Sequence, residues 1–314
     1  MSLAELVDGV VGGDRRAMAR AISMVEDGAD GLSELIAGLF PHTGRSYSIG
    51  LTGSPGVGKS SLAAELVGAA RSRDLRVAVL AIDPTSPFTG GALLGDRLRM
   101  QDHATDPGVF IRSMATRGHL GGLALAAPEA LRILDASGAN VVLVETVGVG
   151  QAEVEVATTA DTTLVVVSPG WGDAIQAAKA GILEVADVFV VNKADRDGAR
   201  EAVRDLEAML HLGPELEWKP PVVRTSATNQ EGIDELWDAI ESHRKHVEAS
   251  GELERRRRER LLNEVEGMVS VRLRERVAGL LEEGALAEVA DDLVARRMDP
   301  YRATDILVQQ VTSS

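Results

Sequence analysis

Short blocks of Val, Ile, Leu and Ala punctuate the middle of the chain. They fall at residues 47–52, 77–82, 109–112, 141–145, 164–168, 188–192 and 222–225. Nearly unbroken aliphatic content over so few positions suits strands buried on both faces, the habit of a parallel sheet. Between the blocks, apolar residues return at helical spacing. Alternation of this kind over residues 45–245 predicts an α/β domain with a mostly parallel, doubly wound sheet. Ligands of such sheets belong at the carboxyl ends of the strands.

The flanks carry a different pattern. Residues 2 to about 40 read as helical, with Ala17, Ala21, Ile22 and Val25 on one face and breaks at Asp27-Gly28 and at residues 41–44. Residues 1–44 are therefore an N-terminal helical extension, expected to pack on the core. Residues 246–314 show no strand pattern. They open with a charge run of both signs at 252–260, which reads as a solvated helix face with i,i+4 pairs. An apolar stripe follows at Leu261, Val265, Met268, Val269, Val271 and Leu273, and Gly284 and Asp299-Pro300 break the remainder into further helices. Two readings fit this C-terminal helical arm: a dimerisation element, or packing on its own domain.

The blocks end in chemistry. After the first comes Gly53-Ser54-Pro55-Gly56-Val57-Gly58-Lys59-Ser60, a G-x-x-x-x-G-K-[ST] phosphate-binding loop, with Ser61 opening an amphipathic helix. Its glycines let backbone N–H groups turn inward around an anion, and the helix directs its positive end to the same place. Lys59 is placed to reach the β- and γ-phosphates, and the Ser60 hydroxyl to ligate Mg²⁺. The sixth block runs into Asn192-Lys193-Ala194-Asp195, the N-K-x-D pattern of guanine recognition. Guanine offers its ring N–H and exocyclic amine as adjacent donors, which one carboxylate accepts. Adenine presents an acceptor there and leaves a buried acceptor unpaired. Asp195 is the expected base reader, Lys193 a stacking cover and Asn192 a tie to the phosphate loop. Ser226-Ala227, after the last block, matches the second guanine-contacting loop.

Acids close two other blocks. Asp83 follows residues 77–82, and Glu145-Thr146-Val147-Gly148 ends 141–145 where small GTPases carry D-x-x-G. Hard oxygen ligands suit Mg²⁺, so Ser60 with Asp83 or Glu145 forms a candidate metal set. Residues 88–100 are Gly-rich and then charged, as in a switch that folds over the γ-phosphate. Asp96 within them is a candidate third metal ligand or water-positioning acid. Arg97 and Arg99 read either as charge stabilisers or as ordinary surface residues. Gly148 keeps the flexible switch position.

Composition excludes several classes. The net charge is −15, which argues against nonspecific binding to nucleic acid or an anionic membrane surface. The absence of Cys removes disulfides and thiolate metal sites, and six His show no ligand spacing. With neither a signal pattern nor a spanning apolar run, the expected location is cytoplasmic.

Five motifs together resemble one family. They are Asp83-Pro84-Thr85-Ser86, the Gly90–Met100 stretch, residues 112–118 (RSMATRG), residues 145–151 (ETVGVGQ), and Pro169-Gly170-Trp171-Gly172-Asp173 with Gln176 and Lys179 leading to the guanine motif. The chain resembles the MeaB/ArgK family of P-loop GTPases, in the SIMIBI class beside the metallochaperone GTPases. The resemblance covers roughly residues 10–300. It implies a P-loop NTPase fold, GTP and GDP as ligands with Mg²⁺, and homodimers through the C-terminal arm. It also implies a partner, adenosylcobalamin-dependent methylmalonyl-CoA mutase, whose cofactor delivery is gated and which is protected or rescued. Asp83, Asp96 and Glu145 match the family's metal and catalytic acids, with Lys59 completing the catalytic set. Gln151, Asp173, Gln176 and Lys179 match segments that relay the nucleotide state. Ala152 stands where Ser is expected, and Trp171 is bulky for its switch position. Two alternatives accompany this reading: a kinase for a small molecule or transport protein, the older ArgK-type label, and a metallochaperone GTPase, which ordinarily needs Cys or His clusters.

Overall fold

Every strand of the sheet is parallel to its neighbours, and the sheet is covered on both faces. The computed structural model describes residues 1–84, 103, 105–116, 123–146, 159–170, 185–212, 217–282 and 285–313. The strands are β1 (Tyr47–Thr52), β2 (Val77–Pro84), β3 (Val109–Thr116), β4 (Val141–Thr146), β5 (Thr162–Val167), β6 (Val188–Val191) and β7 (Val222–Arg224). Their order across the sheet is β3-β2-β4-β1-β5-β6-β7. The expected doubly wound α/β fold is therefore observed, with all seven strands parallel.

Alternate residues of each strand feed different cores, which explains the unbroken aliphatic blocks. On one face, Val77, Val79, Leu143, Ile49, Leu51 and Leu164 pack under α4 (Lys59–Arg71) and a later helix, α7 (Ile233–Ala249). Leu62 and Leu66 of α4 are fully buried there, each burial stabilising by about 1.5–3 kcal/mol. On the other face, Ala78, Leu80, Ile82, Val142 and Val144 meet α5 (Leu123–Ala136) and the three N-terminal helices. Further along that face, α6 (Ala199–Leu212) covers Val165, Val167, Phe189 and Val191.

The N-terminal helices are α1 (Leu3–Val11), α2 (Arg15–Asp27) and α3 (Leu32–Leu39). Ser2 and Glu5 form a reciprocal capping box at α1, and the Asp14 carboxylate caps α2 by accepting from Ala17 N at 2.7 Å. Ala17, Ala21, Ile22 and Val25 all point into the shared core, as their helical spacing predicts.

Three strands depart from expectation by two residues or more, and β2 does so by running on to Pro84 in pairing with β3. β3 runs four residues past Arg112, because α2 supplies partners for that polar side chain. The guanidinium donates to Ser23 Oγ at 2.9 Å and to Glu26 Oε2 at 2.6 Å. β5 starts at Thr162 because both leading threonines have buried partners. Thr162 Oγ1 lies 2.6 Å from Tyr47 Oη, and Thr163 N donates to Asp187 at 2.8 Å.

The chain divides into two compact units, Met1–Arg260 and Leu261–Ser314. The division falls inside α8 (Glu252–Glu282). The second unit holds the rest of that helix, α9 (Ala285–Val294) and α10 (Pro300–Ser313). Among the described residues, no helix is long and apolar enough to cross a membrane.

Candidate nucleotide site

The phosphate-binding loop leaves β1 at the middle of the sheet, next to β4 and β5. Gly53, Gly56 and Gly58 all have positive φ, at 138°, 80° and 97°. Two of these positions are also sterically closed. A Cβ on Gly53 would lie 2.1 Å from the Val166 carbonyl oxygen, and one on Gly58 would lie 2.5 Å from Asn192 Nδ2. Gly58 heads α4 and, as a glycine N-cap, brings no side-chain cap of its own to the first N–H groups of that helix. Those N–H groups with the positive helix end form an anion cradle. Ser54 is half-buried, Pro55 and Gly56 are exposed at the rim, Val57 is buried, and Ser61 is half-buried at the third position of α4.

Lys59 and Ser60 are both buried at the start of α4. The Lys59 ammonium donates to Gly53 O, and to Ser54 O at 3.4 Å, so it lies curled along the loop it serves. The Ser60 hydroxyl donates to Glu145 Oε1 at 2.5 Å. Glu145, one residue before the end of β4, lies beside Leu51 in register and is 1% exposed. A buried hydroxyl–carboxylate pair at a helix N-terminus is a donor set of the hard-oxygen kind that Mg²⁺ prefers.

The candidate guanine loop is joined directly to the phosphate-binding loop. Asn192 Nδ2 donates to Val57 O at 2.9 Å, while its Oδ1 accepts from Thr225 Oγ1 at 3.2 Å and Ala227 N at 3.3 Å. One buried side chain thus joins three loops. Lys193 adopts a left-handed conformation, φ 58°, and its ammonium donates to Gly56 O at 2.5 Å. Asp195 is exposed, and its Oδ1 accepts from Ser226 Oγ at 2.6 Å. That hydrogen bond, with help from the local backbone and from Arg196 and Lys193, holds the carboxyl below the ordinary aspartate pKa. The carboxylate expected to read the base is therefore a firmly ionised acceptor, oriented by Ser226.

Thr225 was not among the sequence-predicted contacts. Its signal is weak, a threonine directly after an edge strand, and its role emerges only from the closure onto Asn192. The backbone at Asp83 lies one residue before the end of β2, in register with Ala115. Asp96, Gly148, Gln151, Asp173, Gln176 and Lys179 lie outside the described residues, as does the side chain of Asp83.

Comparison with known proteins agrees with this geometry. The sequence profile of the family described as "Methylmalonyl Co-A mutase-associated GTPase MeaB" matches residues 18–281. A putative GTPase of Pyrococcus abyssi is 50% identical over 98% of this chain and 96% of its own length. The mitochondrial methylmalonic aciduria type A homolog of Caenorhabditis elegans is 36% identical, over 82% of this chain and 69% of its own. Among solved structures, one described as a LAO/AO transport system kinase superposes with a TM-score of 0.73 at 28% identity, covering 99% of this chain and 97% of the other.

Proposed function

The chain belongs to the methylmalonyl-CoA mutase-associated GTPase (MeaB) family, and from that premise we propose that it is a GTP-hydrolysing chaperone of an adenosylcobalamin-dependent methylmalonyl-CoA mutase. In this reading it gates delivery of the mutase's cofactor and protects or reactivates the enzyme. The GTPase activity follows from the family and the fold. The mutase as client is supported by the family's description and by the likeness to the methylmalonic aciduria type A homolog. The observation that carries most weight is the joining of the phosphate loop to a guanine-reading loop through Asn192.

The chemistry assigned to this chain's residues is as follows. Backbone amides of residues 53–60 and the Lys59 ammonium hold the phosphates and oppose the charge that develops during transfer. Asp195 accepts from guanine, and Lys193 covers the base. Ser60 and Glu145, with Asp83 and Asp96 as further candidates, would hold Mg²⁺. When bound, the ion neutralises phosphate charge. Gly148, Gln151, Asp173, Gln176 and Lys179 belong to the segments assigned to relaying the nucleotide state to the partner. With Arg97 and Arg99 read equally as ordinary surface residues, no arginine finger is assigned, and intrinsic turnover is expected to be slow and partner-stimulated. Homodimerisation through the arm and a cytoplasmic location complete the proposal.

The test is GTP turnover, read as inorganic phosphate, with and without methylmalonyl-CoA mutase and with ATP as control. Stimulation of tenfold or more, confined to GTP, is the expected outcome. Turnover indifferent to the mutase removes it as the client. The name of the solved relative prompts a kinase reading. That reading predicts phosphate transferred to an acceptor instead of released, and the same assay separates the two.

A further inference from the structure

Two aspartates stand at the amino ends of neighbouring strands, opposite the nucleotide loops. Asp161 precedes β5, Asp187 precedes β6, and both are buried. Each is built into a strand junction. Ser48 N donates to Asp161 Oδ2 at 3.0 Å and Asp161 N donates to Ser48 Oγ at 2.9 Å, which pins β5 to β1. Thr163 N donates to Asp187 Oδ2 at 2.8 Å and Asp187 N donates to Thr163 O at 3.0 Å, which pins β6 to β5.

Buried carboxylates need cations, since an uncompensated one costs several kcal/mol. The first turns of α8 deliver them, within the unit that ends at Arg260. Arg257 grips Asp161 at 2.6 Å and 3.1 Å and donates to Ser46 O at 2.8 Å. Arg260 donates to the same carboxylate and, at 2.7 Å, to Ala160 O. Arg256 donates to Asp187 Oδ1 at 3.0 Å. From α7, His243 Nε2 lies 3.1 Å from the same oxygen and Nδ1 lies 2.8 Å from Thr162 Oγ1. The order Thr162–His243–Asp187 mimics a hydrolytic triad, but His243 is wholly buried and no substrate reaches it.

These junctions matter because the strands are short and rigidly joined at their far ends. Only six residues form β5, and the Val166 carbonyl abuts Gly53 with no room for a Cβ. β6 has four residues, and Asn192 follows immediately to bind the phosphate loop. The register set by Asp161 and Asp187 is therefore also the spacing between the phosphate loop and the guanine loop. We propose that the first turns of α8 are a positioning element for the nucleotide site: Arg256, Arg257 and Arg260, docked on Asp161 and Asp187, hold the strand register that spaces the two loops. Linkage makes the coupling reciprocal, so bound nucleotide tightens the docking of this helix.

The test uses the full chain with GDP as the probe. Amide exchange at residues 252–260 of the wild type should slow by about fivefold or more when GDP binds. The slowing should exceed that at α1, which lies in the same unit and touches neither aspartate. R257A/R260A should bind GDP about tenfold more weakly. Arg255→Ala, which removes an exposed side chain paired with half-buried Glu252 and exposed Glu259 and leaves the Arg256–Glu252 contact in place, should bind GDP normally. Exchange at 252–260 that is blind to GDP, or no more responsive than α1, overturns the proposal even if the double variant fails to fold. A folded double variant that melts earlier yet binds GDP like the wild type overturns it as well.

Discussion

The proposed function concentrates base reading in one carboxylate, Asp195. Ser226 orients it and keeps it ionised, yet it remains exposed to an incoming base. Replacing it with Asn keeps the shape and inserts a donor opposite guanine's donors. Asp195→Asn should weaken GDP binding by about 10- to 100-fold, the scale of an unpaired buried donor, and narrow the preference for GTP over ATP. Titration calorimetry with both nucleotides measures this, and an unchanged preference would remove Asp195 as the reader. Much of this site was legible from sequence. In the phosphate loop, sequence neighbours are also spatial neighbours, so Gly53, Gly58, Lys59 and Ser60 carry their meaning in their spacing. The contacts of Asn192 to Val57 and Ala227 were only partly legible, because they close over gaps of 135 and 35 residues.

At the scale of elements, α8 behaves differently from its charge pattern. The run at 252–260 predicts a solvated face, and Arg255 fits that description with its i,i+3 and i,i+4 partners. Arg256, Arg257 and Arg260 instead turn inward to buried aspartates. Helical spacing put them on one side of the helix, but nothing local marked Asp161 and Asp187 as their targets. The docking has a signature in pH. Burial pushes the Asp161 carboxyl upward, but the Arg257 hydrogen bond and the charges of Arg260 and Arg257 outweigh it, leaving its pKa below the usual aspartate value. Asp187 is lowered in the same way, with burial outweighed by His243 and Arg256. A lowered folded-state pKa gives stability that is full above the unfolded value, about 3.9. That stability is lost as pH falls from there through the folded values. Asp161→Asn should therefore cost about 1–3 kcal/mol at neutral pH and flatten the acid limb of the stability profile. Urea unfolding at a series of pH values checks both, and a variant with the wild-type acid limb would show that this carboxylate is not the group involved.

For the whole molecule, the second unit presents apolar side chains that its own fold leaves exposed. Leu262, Val265, Val269 and Leu273 recur every three or four residues along α8, with relative exposures between 44% and 59%. A stripe of that kind on a long helix suits a helix–helix seam between two copies. V265E/V269E should sediment as a monomer and still bind GDP, while the wild type sediments as a dimer. A monomeric wild type at micromolar concentration would end this reading. Two copies that each carry a net charge of −15 repel at low salt, so this reading requires the dimer to rest on apolar contact.

Taken alone, the sequence determined the kind and order of the elements, the parallel sheet and the GTPase reading, and it marked the candidate nucleotide loops. Each of these depends on periodicity or spacing within a turn, a strand or a single loop, so the information is local. Only the tertiary structure decided which charges are buried, where β3 and β5 begin and end, and that the N-terminal helices share one core with β2, β3 and β4. Those outcomes depend on partners distant in the chain, such as Arg112 with Glu26 or Arg257 with Asp161. A charged side chain reads as solvent-exposed until folding brings it an opposite charge, and the strength of that pairing is set by burial, which no local pattern encodes.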